Sequence, residues 1–503
     1  MTHEEKRQIY RQGKYILETL ENITMNGDAY CGSDFLFQRC QHDRKNLSAA
    51  RFAQDKAALI RAEYLHQEGY HIYDQRTWNY EEAAAQDLAA IIPKLIMHSA
   101  RPIPSSLKCG EIELNDRQKE AIMLALSNPI SLILGGAGSG KTTLIRTLVS
   151  SHARDGCTVV AAPTGKAAQN LRERTEIPAR TVHSALGKTP DDDFLDNISW
   201  AKTELIIIDE ASMMTLEMLA GILHRAPVSS HIVLLGDPNQ LLSVGTGNVI
   251  PDLLALGIPH VDLEQQYRQN ADASALRHNV LEFPRLTSSD QLQWDDSFRM
   301  VDANDEDIAR IICEEAARRY RMGESVQVLS PTNYSSDCSV DALNKKIQDQ
   351  VNPLTQETPV WENLHHMDRV LVTQNDYERG IYNGETGILW INELKQCAAL
   401  LLDTHMTIFD TSKPPVHLKL AYAMTVHKSQ GSQYDTIIMP ASMAQSKMLS
   451  RNLLYTAISR AKKQVILVGN RSAVHVAMQR TLPPRRSKLV AKTNMRLYAR
   501  RIA

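Results

Sequence analysis

Four short runs of the chain are apolar at nearly every position instead of at alternate ones: PISLILGG from Pro129, CTVVAAP from Cys157, ELIIIDE from Glu204 and HIVLLGD from His231. A strand with one wet face alternates apolar and polar residues. Continuous runs that end in small or acidic residues therefore predict strands covered on both faces, in a parallel sheet flanked by helices. The pattern returns more weakly in SVQVLSP from Ser325, DTIIMPA from Asp435 and QVILVGN from Gln464. Between about Asn344 and Leu418 the runs DRVLVTQ, ETGILWINE, CAALLLD and HMTIFD are short, with no helical pattern between them. YNGE supplies an Asn-Gly tight turn, so this part reads as a small antiparallel β insertion in a second α/β domain. Residues up to about Ile112 are helix-rich; AARFAQDKAALIRAEYLHQEGY has helical spacing and closes on a glycine.

Composition adds limits. A length of 503 residues suggests about three domains, and 43% apolar with 23% charged residues is ordinary for a globular protein. The charged N-terminus lacks the apolar core of a signal peptide, and no run reaches membrane-spanning length. The seven cysteines form no CxxC pair, which argues against a disulfide framework or a zinc site. A cytoplasmic protein without membrane attachment is expected. The net charge of −2 means that nucleic acid would have to be bound by local patches. One such patch is the tail PPRRSKLVAKTNMRLYARR, seven basic residues without an acidic one, expected to be solvated or to face nucleic acid.

The chemistry centres on GGAGSGKTT, Gly135 to Thr143, which follows one apolar run and opens a helical one. Gly135, Gly136, Ala137, Gly138, Ser139 and Gly140 let backbone N–H groups curl around phosphate oxygens at a helix N-terminus. Lys141 can reach the outer phosphates, and Thr142 can ligate Mg²⁺, with Thr143 beside it. Asp209 and Glu210 end a strand where α/β sheets bind ligands: Asp209 to hold the metal, Glu210 to orient or deprotonate water. Gln240, past the next strand, could sense a γ-phosphate. Gln118, opening a helix ahead of the phosphate loop, could read an adenine edge. ATP and Mg²⁺ are the implied cofactors.

With APTGKAA, TVHSALG, DEASMM, GDPNQLLSVG, QYRQN, TVHKSQGSQYD and LLYTAISRAKK in this order, the chain from about Leu114 onward resembles the RecD-like, 5′→3′ branch of superfamily 1 helicases. The resemblance implies two RecA-like lobes: lobe 1 over 113–264, and lobe 2 over 265–343 and 419–503. An SH3-like insertion occupies 344–418, and a helical or winged-helix module precedes the lobes over 1–112. It implies arginine fingers at Arg268 and Arg460, and Gln430 and Gly431 beside the nucleotide. It also implies a DNA track over Pro163, Thr164, Lys166 and His183 on lobe 1 and Thr425, His427 and Ser429 on lobe 2. A short strand-splitting hairpin is expected near 188–202. Leu242, Thr246, Gln433 and Ser459 depart from the family pattern without removing a charged catalytic group.

The implied activity is ATP-dependent 5′→3′ translocation on single-stranded DNA and unwinding of tailed duplexes, in repair or recombination, by a monomeric motor. The N-terminal module is the expected contact for any protein partner. Two alternatives remain open: a motor subunit of a recombination exonuclease complex, and a DNA-stimulated ATPase that remodels protein–DNA complexes without unwinding.

Overall fold

The first group of apolar runs lies in one six-stranded sheet of a computed structural model. It describes all residues except 96–107, 110–111, 137, 153–156, 188–199, 264–273, 375, 377–378, 380, 393–396, 403–404, 411–416 and 503. Strand order is His260–Asp262, Ile130–Leu134, His231–Gly236, Leu205–Ile208, Thr158–Ala162, Arg180–Thr181, and every pairing is parallel. Leu134 stands opposite Gly236, and Ile208 opposite Leu234 and Ala161. The segments opened by Gly135, Asp209 and Asp237 therefore leave one edge of the sheet together, where open α/β sheets place ligands.

Both faces are covered. Leu132, Ile206 and Leu234 pack with Leu219 and Ile222 of the helix Leu216–Arg225. Ile133, Ile207 and Val233 pack with Ile122, Leu144 and Ile145 on the other side. This double burial is the physical cause of the continuous apolar runs.

The second sheet has five parallel strands in the order Phe298–Asp302, Ala461–Gly469, Tyr434–Ala441, Val326–Ser330, Ala423–Thr425. The insertion is a five-stranded antiparallel sheet, Met406–Asp410, Cys397–Leu402, Thr386–Asn392, Arg369–Val372 and Leu418–Leu420. Its core is its own, built on Val370, Leu389, Leu400 and Phe409. Its edges differ from 344–418. The helix Val340–Val351 buries Leu343 and Ile347 against Ile308 and Val326 of the second lobe, whereas Leu418–Leu420 closes the antiparallel sheet.

At the N-terminus, the helices His3–Thr24, Ser33–Asp43 and Ala49–Arg61 pack with a three-stranded antiparallel sheet around Ile16, Leu20, Leu36, Leu59 and Ile72. The next helix, Gln75–Ile91, buries Ala84, Ala85 and Leu88 in the core of the first lobe, so the N-terminal unit separates earlier than residue 112.

Part of the basic tail folds against the body of the protein, while Arg486 and Arg500 stay exposed. It forms the helix Leu489–Ile502, with Lys492 3.0 Å from both Glu81 and Glu82 and Lys488 3.1 Å from Glu68, while Arg496 pairs with Glu82. The Lys492 and Glu81 side chains are 1% and 0% exposed, and the Lys492 ammonium lies against the rings of Tyr73 and Trp78. For Lys488, Lys492 and Arg496 the expectation of a solvated or nucleic-acid-facing tail is corrected: Glu68, Glu81 and Glu82 take up their charge. A buried cation needs such partners.

Candidate active site and nucleic-acid groove

The phosphate loop joins the strand Ile130–Leu134 to the helix Lys141–His152. Gly138 and Gly140 have φ of 79° and 89°, left-handed conformations that glycine adopts at no steric cost. Lys141 Nζ donates to the carbonyls of Gly135 and Gly136, the latter at 3.0 Å. A cavity of about 240 Å³ opens above it, lined by Gly136 and Gly138 to Thr142 of the loop and by Asp209, Glu210, Gln240 and Arg174 of the first lobe. The second lobe adds Gly431, Gln433 and Arg460.

Burial raises the Asp209 carboxyl above its ordinary value, helped by the neighbouring Glu210 and opposed by the Lys141 ammonium. A carboxylate so desolvated binds a cation strongly, because the cation replaces the lost water. Glu210 has φ of 52°, unusual for a residue with a Cβ, and its N–H donates to Asp209 Oδ1 at 2.9 Å. Strain of this kind costs roughly 1–3 kcal/mol and is kept where the surrounding structure fixes a side chain for use. Ser139 Oγ and Gln240 Oε1 are buried without a hydrogen-bond partner, and both residues border the cavity. Such orphaned atoms are costly unless a ligand completes them.

Arg460 is buried, with Nε 3.2 Å from Thr456 O and Nη2 3.2 Å from Ser459 Oγ, which fixes the plane of the guanidinium. The loop before it is held against the first lobe. Gly431 has φ of 79°, its carbonyl accepts from Asn170 Nδ2, and a Cβ there would lie 3.2 Å from Ala167. Gln433 accepts from Arg174 Nη2 at 3.0 Å. Gln430 Nε2 donates to Leu241 O at 3.0 Å.

Beyond Gln430 lies a groove of about 410 Å³. Pro163, Thr164, Lys166 and His183 line it from the first lobe, Val244 from the Gln240 loop, Asn383 and Gly384 from the insertion, and His427, Lys428 and Gln430 from the second lobe. Burial, assisted by the Arg485 cation, pushes the His427 imidazole below its ordinary pKa, so it is neutral at pH 7. Two hydroxyls of the expected track have other duties. Ser429 is fully buried and donates to Val426 O at 2.7 Å, and Thr425 Oγ1 accepts from Lys428 N at 3.3 Å. Thr425 borders an adjoining recess of about 370 Å³, which it shares with Lys428.

The sequence profile of the AAA domain family matches residues 113–305, and that of the UvrD-like helicase C-terminal domain matches 420–468. The RecBCD enzyme subunit RecD of Mycolicibacterium smegmatis is 28% identical over 459 residues, covering 81% of this chain and 80% of its own. The ATP-dependent RecD2 DNA helicase of Deinococcus radiodurans is 31% identical over 397 residues, covering 78% of this chain. This chain spans about half of that relative, 53% of its length. In sequence the chain is similar to the RecD-like helicases. Among solved structures, Bacteroides Pif1 bound to single-stranded DNA aligns over 74% of this chain and 95% of its own, at 20% identity and a TM-score of 0.47.

The remaining residues of this RecD-like chain fall outside the two openings or outside the description. Gln118 closes a capping box with Asn115, its Oε1 accepting from Asn115 N at 3.3 Å and its N–H donating to Asn115 Oδ1 at 2.8 Å. Gly135 borders a recess of about 360 Å³ beside Asp237, Asn239, Arg285 and Tyr455. Thr143 lies in the helix, its carbonyl accepting from Thr147. Arg268, Ala137 and most of the expected hairpin, 188–199, lie outside the described residues.

Sequence reasoning passed over the lobe–lobe latch around Gln240. Tyr455 OH donates to Asp237 Oδ2 at 2.8 Å, Leu241 N to Thr456 Oγ1 at 2.8 Å, and Asn452 Nδ2 to Asn239 O at 2.9 Å. Its signal was present: Asn452, Tyr455 and Thr456 lie four to eight residues before Arg460. It also passed over Asn383, Gly384 and Lys428. The insertion can approach because position 165 is glycine; a Cβ there would sit 2.4 Å from Tyr382 Cβ.

Proposed function

We propose that this chain is an ATP-driven motor that translocates 5′→3′ on single-stranded DNA and unwinds tailed duplexes, acting as a monomer in repair or recombination. One observation carries the reading: a single cavity is lined by the phosphate loop of one lobe and by Gly431, Gln433 and Arg460 of the other. A nucleotide bound there touches both lobes, so closing the cleft and completing the site are one event.

The residues present fit a magnesium nucleotide. The loop offers small residues and backbone N–H groups, Ser139 and Gln240 hold orphaned polar atoms at the cavity, and Asp209 is a desolvated carboxylate. Thr142 and Asp209 would hold Mg²⁺, which supplies charge neutralisation between phosphate oxygens when bound. Among the described residues no three His, Cys, Asp or Glu side chains converge on a metal; a magnesium ion on a nucleotide is commonly bound through one or two protein ligands and phosphates.

Lys141 binds the terminal phosphates, moving from the loop carbonyls it now contacts. Glu210 orients water and takes its proton. Arg460 stabilises the charge on the transferring phosphoryl group; such arginines supply roughly 10³–10⁵ in rate. Gln430 and Gly431 are neighbours in the chain, one lining the groove and the other the cavity, so a shift in the loop on phosphate release moves the DNA-facing wall. The N-terminal unit is the face offered to a protein partner.

Steady-state ATP hydrolysis with and without oligo-dT tests the reading. Turnover should rise at least about tenfold with DNA; equal turnover in both conditions contradicts a DNA-driven motor.

A further inference from the structure

We propose that Arg485, in the segment leading to the C-terminal helix, is a positioning residue that couples ATP turnover to DNA occupancy by fixing the loop from Gln240 to Gly247. The inference rests on the helicase reading above.

That loop links the two openings. Gln240 lines the nucleotide cavity and Val244 lines the groove. Gly245 and Gly247 have φ of 125° and 117°, so the loop is built from residues with little intrinsic stiffness. Arg485 supplies what it lacks. Nη1 donates to Ser243 Oγ at 3.0 Å, Gly245 O at 3.1 Å and Gly247 O at 2.9 Å, and Nη2 donates to Ser243 O. Arg485 forms no ion pair among the described residues; its fork is spent on the acceptors of this loop.

The arginine is itself anchored on the N-terminal unit. Ala29 N donates to Arg486 O at 2.8 Å, and Arg486 N to Asp28 Oδ1 at 2.7 Å. Ser487 Oγ donates at 3.2 Å to the buried Glu81, on the helix Gln75–Ile91 that packs into the first lobe. Gly27 O accepts from Gly247 N at 3.0 Å, and a Cβ on Gly27 would lie 2.0 Å from Arg485 Nε. A strap from the end of the chain thus ties residues near its beginning to the loop between cavity and groove. Whatever shifts the N-terminal unit shifts that loop.

The test compares Arg485→Ala, Arg485→Lys and Gly27→Ala in the full chain. Hydrogen exchange in the segment 241–247 should quicken at least about tenfold in Arg485→Ala. DNA-free kcat and the KM for ATP should stay within about twofold, while stimulation by oligo-dT falls at least about tenfold. Arg485→Lys should recover part of the stimulation. Gly27→Ala, which fills the space of the guanidinium stem, should mimic Arg485→Ala, and the double variant should be no worse than either. Unchanged exchange in 241–247, or DNA-free turnover falling in step with the stimulated rate, overturns the proposal. If the unaltered chain is not stimulated by DNA, the helicase reading fails instead, and the exchange measurement still decides whether Arg485 holds the loop.

Discussion

The proposed nucleotide cavity and the proposed DNA groove adjoin at Gly431 and Gln430 yet are built on different chemistry. The cavity gathers Lys141, Arg174, Arg460, Asp209 and Glu210 around a glycine-rich loop. The groove mixes Met213, Met218 and Val244 with hydroxyls, amides, two histidines, of which His427 is neutral, and two lysines. A triphosphate and its metal demand opposite charges at fixed positions, and few residue types meet that demand. A sliding strand demands shape and backbone contacts that any of several polar residues can make. Each change below should therefore separate chemistry from grip.

The largest effect belongs to Lys141→Ala. ATP hydrolysis should vanish, while single-stranded DNA binding measured by fluorescence anisotropy stays within about threefold, less than 1 kcal/mol. Parallel loss of both would mean that cavity and groove are not separable. Arg460→Ala should lower kcat by about 10³ with the KM for ATP changed far less. Arg460→Lys should not restore the rate, because a compact ammonium lacks the planar fork.

In the groove, Lys428→Ala should weaken single-stranded DNA binding severalfold and reduce the slope of log affinity against log salt by about one. His427→Ala should weaken binding without changing that slope, since the imidazole is uncharged at pH 7. The smallest effect is expected for Ser429→Ala. Its hydroxyl holds a turn through Val426 O, so the change should cost about 0.5–1.5 kcal/mol in stability by denaturant titration and leave DNA affinity intact.

The same contrast governs how much could be read from the chain. Parallel sheets announced themselves because strands such as Leu205–Ile208 are buried on both faces and cannot carry polar residues. The cavity was legible because Gly135 to Thr142, Asp209 and Glu210 have local spacing tied to strand ends. Arg460 was visible only through resemblance, since nothing local distinguishes it from other basic residues. In the stretch from Thr425 to Gln430, Thr425 and Ser429 read as aimed at DNA and Gln430 at the nucleotide, but a sharp turn takes up their polar groups: Thr425 and Ser429 bond within the loop, and Gln430 bonds Leu241. The tail failed for a different reason. Its lysines pair with Glu68, Glu81 and Glu82, more than 400 residues away in sequence, a pairing that only the fold creates.

The central claim is that one cleft converts ATP hydrolysis into directed movement on a strand. Unwinding of short duplexes carrying a 5′ or a 3′ single-stranded overhang, with ATP and with Lys141→Ala as control, tests it most directly. ATP-dependent strand separation should require the 5′ overhang and be lost in the Lys141 variant. Unwinding from the 3′ overhang alone, or unwinding that survives Lys141→Ala, would contradict it.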